Sequence, residues 1–231
     1  MSDIYFKNEY VVVFPTFKET VPHKHDFLHI FFLGNEEECE EILVTGSGVI
    51  HTMPDLDECK LFLMIDPTSN LSDYLYTEFL YDGGLKRVRI SNPLVLRNIN
   101  NADVAENKIE KWFIDNGFCI EKSQGKNIED YRVVRLIQDI KDYRHLEKHI
   151  TEIASEYGLS ESRLSHVFKE AVGVSLKGYL TIARLKYAYK LVMDGKSKTY
   201  AAMEAGFSSP AHLAYICKKQ MGVSITEVLK K

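Results

Sequence analysis

The stretch ASEYGLSESRLSHVFKEAVGVS (Ala154–Ser175) decides how the chain folds, because it returns 48 residues later as AMEAGFSSPAHLAYICKKQMGVS (Ala202–Ser224). Ala154, Glu156, Gly158 and Ser160 recur as Ala202, Glu204, Gly206 and Ser208. One residue is then inserted, and Leu164, Lys169 and Gly173-Val174-Ser175 recur as Leu213, Lys218 and Gly222-Val223-Ser224. Each copy predicts a helix-turn-helix. A short helix ends at a glycine free to take a positive φ, and a serine then caps a second helix. The apolar side of that helix, Leu164, Val167 and Phe168 in the first copy, packs on the first helix. Its opposite side has no core duty and is free to enter a major groove.

Outward from the repeat, the segment from about Ser175 to Met193 predicts one long helix joining the two copies. At 1.5 Å per residue it spans roughly 28 Å, which suits neighbouring turns of one DNA face roughly 34 Å apart. Upstream, Val133, Leu136, Ile137 and Ile140 keep helical spacing from about Glu129, and nothing in this half alternates like a strand. Helical hairpins with glycine turns also build solenoids that bind no DNA, and charge bears on that alternative. Residues 1–131 hold 12 Lys+Arg against 23 Asp+Glu, whereas residues 132–231 hold 17 against 10, within a whole-chain charge of -4. A basic half behind an acidic one fits a chain in which one module meets nucleic acid or an anionic membrane, or two halves that attract each other. Two copies only, the basic charge and the joining helix favour DNA.

Residues 129–231 resemble the DNA-binding domain of AraC/XylS-type transcription regulators. The resemblance is carried by Ile153-Ala154 with Gly158-Leu159-Ser160, Leu164 to Lys169, Gly173-Val174-Ser175, Tyr179-Leu180, Arg184-Leu185 and Ala188, and in the second copy by Ala205 to Ser209 and Lys218 to Ser224. It implies an all-α domain of two helix-turn-helix units that reads double-stranded DNA. The base-reading positions then fall on Ser162, Arg163, Ser165 and His166, with Lys169 nearer the phosphates. In the second copy they fall on Pro210, Ala211, His212, Ala214 and Tyr215. Cys217 stands where the family has Phe, Ile225 where it usually has Pro, and the Arg usual at the Tyr215 position is missing. Sequence reading is therefore expected to rest on the first unit, while Lys218, Lys219 and helix N-termini hold phosphates in the second. A regulator of this family, often an activator, also implies RNA polymerase and a homodimer as partners.

Between Tyr10 and about Arg89 the pattern differs. Short runs rich in Val, Ile, Phe and Tyr, namely Tyr10–Phe14, Phe27–Leu33, Glu41–Val44, Leu61–Ile65 and Val88–Ile90, are punctuated by Pro, Gly, Asn and Asp. They predict an antiparallel sandwich or barrel. After Asn92-Pro93 the spacing becomes helical at Ala102–Phe113, a candidate dimerisation helix, and Asn116–Asn127 reads as a linker. The expected fold class is α+β in two domains: a cupin-like antiparallel β-barrel at residues 1–92 and the all-α DNA-binding domain at 129–231. Residues 93–128 form a helical linker region between them.

Pro22-His23-Lys24-His25, then His29, sits where a strand is expected, and a period of two puts His23, His25, Phe27, His29 and Phe31 on one face. His51 follows Gly46-Ser47-Gly48 at the start of a facing strand. The pattern resembles a cupin sensor, the usual module before this DNA-binding domain, and Phe62 to Pro67 looks like a later strand of such sensors. Three uses compete for these histidines. His23, His25 and His51 can bind Zn, Ni or Fe(II), the four can hydrogen-bond a small anionic or polar effector, or they are satisfied core residues. Enzymatic cupins carry a Glu about four residues after the His-x-His, and here that place holds His29. The rival function, a metal-dependent cupin enzyme with a helical appendage, loses ground for that reason, and no catalytic residue or obligatory cofactor is assigned.

The 231 residues are 45% hydrophobic and 27% charged, which excludes collagen-like and disordered chains. Cys39, Cys59, Cys119 and Cys217 are far apart and read as reduced, buried thiols. Asp3, Lys7 and Glu9 interrupt any signal peptide, and no apolar run approaches the roughly 18 residues of a membrane span. The expectation is a cytoplasmic protein that binds no membrane. The acids of Glu36–Glu41 are expected to solvate a hairpin.

Overall fold

The computed structural model describes residues 3–7, 9–15, 21–35, 37–82, 84–96, 102–118, 128–221 and 225–228. They divide into two units, residues 1–125 with 226–231, and residues 126–225. The first is built on six strands: β1 (Asp3–Phe6), β2 (Tyr10–Phe14), β3 (Leu28–Gly34), β4 (Glu38–Thr45), β5 (Cys59–Ile65) and β6 (Leu85–Val95). All pair antiparallel in the order β1-β2-β5-β3-β4-β6. Among the described residues the ladder is open, with β1 and β6 at its edges.

Strand β3 lies centrally and is buried on both faces, which is why its sequence, LHIFFLG, is a continuous apolar run. Its alternation nevertheless sorts two different environments. Leu28, Ile30 and Phe32 enter the main core with Val12, Ile42, Val44, Leu61, Leu63 and Ile65. His29 and Phe31 point the other way, opposite Met64 and Phe62 of β5. The main core is closed by helix α1 (Asn70–Glu78), through Leu71 and Leu75, and by helix α2 (Ala102–Asp115), through Ile109, Trp112 and Phe113.

The boundary expected at residue 92 is corrected by these elements. It cuts β6, which continues to Val95. Pro93 is tolerated there because β6 is an edge strand and has no further neighbour needing its amide. Helix α2 is no part of a linker: Trp112 stands edge-on to Phe32 at 4.8 Å between ring centroids, and its indole N–H donates to Asn92 O at 3.0 Å. Phe118, assigned to the linker, is buried in the same core, while residues 119–127 lie outside the described residues. Strand β1 and helix α1 went unforeseen. The β3–β4 hairpin is solvated as expected, with Asn35 Oδ1 accepting the amides of Glu37 and Glu38 and Glu41 pairing with Arg87 at 2.6 Å.

The second unit contains α3 (Tyr131–Lys141), α4 (Ile150–Glu156), α5 (Glu161–Val172), α6 (Leu176–Met193), α7 (Lys198–Glu204) and α8 (Pro210–Met221), and a last turn, α9 (Ile225–Val228), follows. The expected face of α3, Val133, Leu136, Ile137 and Ile140, joins Ile153, Ala154, Leu164, Val167, Phe168 and Tyr179 in one core. Asp130 caps α3 by accepting from the Arg132 amide at 3.0 Å. The turn between α3 and α4 carries two non-glycine residues at positive φ, Tyr143 and His145. Contacts from α6 hold it: Tyr187 stacks on Tyr143 at 4.4 Å, and Arg184 donates to the carbonyls of Leu146 and Lys148.

Candidate functional site

Two groups of residues are candidates, one in each unit. In the first unit the structure brings all four predicted histidines together. His25, His29 and His51 are 5%, 3% and 9% exposed, and His23 is half-buried. Ring centroids lie 4.5 Å apart for His23–His51, 4.8 Å for both His25–His29 and His29–His51, and 5.1 Å for His25–His51. The route differs from the expected one. Only His29 lies in a named strand, and His23 meets His51 through an isolated antiparallel bridge whose two amide–carbonyl bonds are both 3.0 Å. His25 lies in the turn between, aimed at His29 by a 3.0 Å contact between their Nε2 atoms.

Each ring is anchored by its other nitrogen. Nδ1 of His23, His51 and His29 lies 2.9, 2.9 and 3.2 Å from the carbonyls of Val21, Val49 and Leu63. Carbonyls only accept, so these three rings carry their hydrogen on Nδ1. These carbonyls were invisible to sequence reasoning, since backbone partners leave no residue signature. Burial pushes the pKa of all four rings below the ordinary histidine value, most strongly at His25 and His29, and the mutual repulsion of the rings adds to it at His23, His25 and His29. The cluster is therefore neutral at pH 7.

In the second unit both copies of the repeat fold as helix-turn-helix hairpins, α4 with α5 and α7 with α8. Gly158 and Gly206 take φ of 66° and 80° at the two turns. Ser160 caps α5, accepting from the Arg163 amide at 3.3 Å. In the second copy the cap is Ser209 and not the aligned Ser208, so the inserted residue is absorbed at this point, with Pro210 in the first helical position. Ser162, Arg163, His166 and Lys169 are exposed along α5, with Ser165 half-buried beside them. Opposite them Leu164, Val167 and Phe168 are buried, so the predicted division of faces is present. His166 Nε2 lies 3.3 Å from Glu170 Oε2, one turn on.

On α8 Tyr215 is 62% exposed, and Lys218 and Lys219 are exposed with it. His212 is placed differently: it is half-buried, its Nδ1 meets Ser208 Oγ at 3.0 Å, and its ring stands edge-on to Phe207. It braces the turn on that side.

Residues 153–231 match the model of a helix-turn-helix domain. The second unit carries that helix-turn-helix domain. Cys217 departs from the AraC/XylS pattern that the sequence resembles, and the structure shows how the smaller side chain is accommodated. The thiol is buried against Tyr189, whose hydroxyl lies 2.8 Å from the sulfur. Ile225, in place of the usual proline, is buried at the start of α9.

Among curated proteins, the virulence regulon transcriptional activator VirF of Yersinia enterocolitica is 30% identical over 74 residues. The thermoregulatory protein LcrF of Yersinia pestis has the same identity over the same length. The match spans 32% of this chain but only 27% of each relative's length. Among solved structures, unsaturated fatty acid-bound ToxT from Vibrio cholerae superposes with a TM-score of 0.54 at 14% identity, covering 96% of this chain and 95% of that one. That likeness extends to both units and concerns the fold. Among the described residues no helix is long and apolar enough to cross a membrane.

Proposed function

We propose that this protein is a sequence-specific DNA-binding transcription regulator whose first unit receives a small-molecule signal at His23, His25, His29 and His51. The observation that carries the proposal is the pair of second helices, α5 and α8, each with a buried apolar side and an exposed side lined by Ser162, Arg163, His166 and Lys169 or by Tyr215, Lys218 and Lys219. A helix so divided can lie in a major groove without disturbing its own core. Base discrimination belongs to α5, whose side chains hydrogen-bond, and α8 contributes mainly phosphate contacts. The signal alters how these helices are presented, a coupling between two sites.

The protein works in the cytoplasm, as a homodimer that engages RNA polymerase. It carries out no catalytic step. The rival enzymatic cupin is disfavoured because His29 stands where such cupins carry a Glu. Selection of genomic fragments by the full chain, followed by gel retardation at graded salt, tests the proposal. A defined motif with affinity falling steeply in salt is expected. A folded protein that binds no duplex refutes it.

A further inference from the structure

The anchoring of the four histidines leaves an unusual set of free atoms. With hydrogen on Nδ1, His23, His29 and His51 each present a bare Nε2 lone pair. His25 is reversed: its Nδ1 accepts the Phe27 amide at 3.2 Å, so its Nε2 bears the hydrogen and donates to Nε2 of His29. That uses up His29. The Nε2 atoms of His23 and His51 have no hydrogen-bond donor among the described residues, and one nitrogen each from His23, His25 and His51 lies within 4.8 Å of the others. An array of lone pairs, with no lysine or arginine bonded to it among the described residues, repels a carboxylate or phosphate. It matches a Lewis acid.

We propose that His23, His25 and His51 bind one divalent transition-metal ion of the zinc or nickel kind, and that this ion is the signal; the second half of the statement rests on the regulator function proposed above. Imidazole donors suit these ions, whereas Mg²⁺ and Ca²⁺ require oxygen ligands. A carbonyl on the remote ring nitrogen, as at His23 and His51, is the support that metal-bound histidines usually have. Nitrogens at zinc–nitrogen distances of about 2.0–2.1 Å in a tetrahedral site stand roughly 3.4 Å apart, so a pair as far apart as 4.8 Å must draw in by more than an ångström. His23 and His51 lie on a two-bond bridge outside the long ladders and can make that movement together. His25 ligates through Nε2 once its ring hydrogen sits on Nδ1, which ends both its acceptance of the Phe27 amide and its donation to His29 and frees Nε2 of His29 as a further donor beside the ion. Closing the bridge on the ion changes the rim of the sheet and supplies the conformational output of the signal.

The test is calorimetric titration of the chelator-treated full chain with Zn²⁺, Ni²⁺ and Mg²⁺, alongside gel retardation with and without Zn²⁺. One Zn²⁺ per chain at micromolar affinity or tighter is expected, with no Mg²⁺ binding. The double variant His23→Gln/His51→Gln should lose on the order of 100-fold in Zn²⁺ affinity, since it removes two ligands where loss of a supporting partner alone costs 10–100-fold. Peptide mapping of diethyl pyrocarbonate modification on the unaltered chain decides independently of how the variant folds: Zn²⁺ should protect His23 and His51 and leave His166 reactive. Absence of Zn²⁺ binding, or binding that survives the double substitution with no protection of His23 and His51, overturns the site. DNA binding that ignores a bound Zn²⁺ overturns the ion as signal and leaves the regulator function standing, whereas absence of DNA binding in every condition refutes the regulator function and leaves the stoichiometry to judge the site.

Discussion

Gly158 and Gly206 occupy the same place in the two repeats, yet replacing each by alanine should have unequal cost. Both sit at positive φ, 66° and 80°, where an L-residue loses about 1–2 kcal/mol. At Gly158 an added Cβ meets nothing within 4 Å, so that loss is the whole effect. At Gly206 the Cβ would stand 2.2 Å from the carbonyl oxygen of Leu146. That carbonyl cannot simply retreat, because it accepts from Arg184 Nε at 2.6 Å within the turn that holds Tyr143 and His145 at positive φ. Forcing apart packed groups costs a further 1–3 kcal/mol, roughly, so Gly206→Ala should destabilise by about 2–5 kcal/mol against about 1–2 for Gly158→Ala. Urea unfolding followed by circular dichroism at 222 nm reads the helical unit. Separately, the fluorescence of Trp112, the single tryptophan, reads the first unit and should not change. Equal losses in the two variants would refute the close approach of the second hairpin to the α3–α4 turn.

His166→Ala should relax preference at one base pair by about 1–3 kcal/mol, whereas Tyr215→Ala should weaken binding evenly across sequences; competition retardation with single-base operator variants distinguishes them, and the reverse pattern defeats the assignment of base reading to α5. Trp112→Ala should destabilise the first unit by about 3–5 kcal/mol, seen in its thermal transition by circular dichroism, and a dimer that dissociates with the first unit still at full stability would show instead that α2 is spent on self-association. The first unit should also lose stability in mild acid. Burial holds the folded-state pKa of His25 and His29 well below the ordinary value, so below about pH 6.5 the unfolded chain binds protons that the folded chain does not, and stability falls by up to about 1.4 kcal/mol per pH unit for each ring. Trp112-monitored denaturation at pH 7.5 and 5.5 checks this, with an unchanged midpoint as the contrary result.

The amino-acid sequence by itself determined the helical half almost completely. Its elements are local: a cap at Asp130 or Ser160, a glycine at positive φ, and apolar residues at helical spacing that can only face one way, all within a few residues of one another. The repeat then says that the same hairpin is made twice. The exposure of Ser162, Arg163, His166 and Lys169 follows from that spacing alone, because Leu164, Val167 and Phe168 claim the other side of α5. The four histidines were legible as candidates for the same kind of reason, a short-range alternation that puts His29 and Phe31 on one face.

What only the tertiary structure decided involves partners distant along the chain. Helix α2 is amphipathic and would serve a dimer or a sheet equally well; Phe32 and the Asn92 carbonyl, up to 80 residues away, settle that Trp112 belongs to its own sheet. His23 and His51 meet at a bridge between two segments that form no long strand, and the carbonyls of Val21, Val49 and Leu63 choose which nitrogen of each ring is free. Such choices are made by backbone groups that every residue type carries, and by packing between segments joined only through the fold. No pattern of side chains along the sequence encodes them.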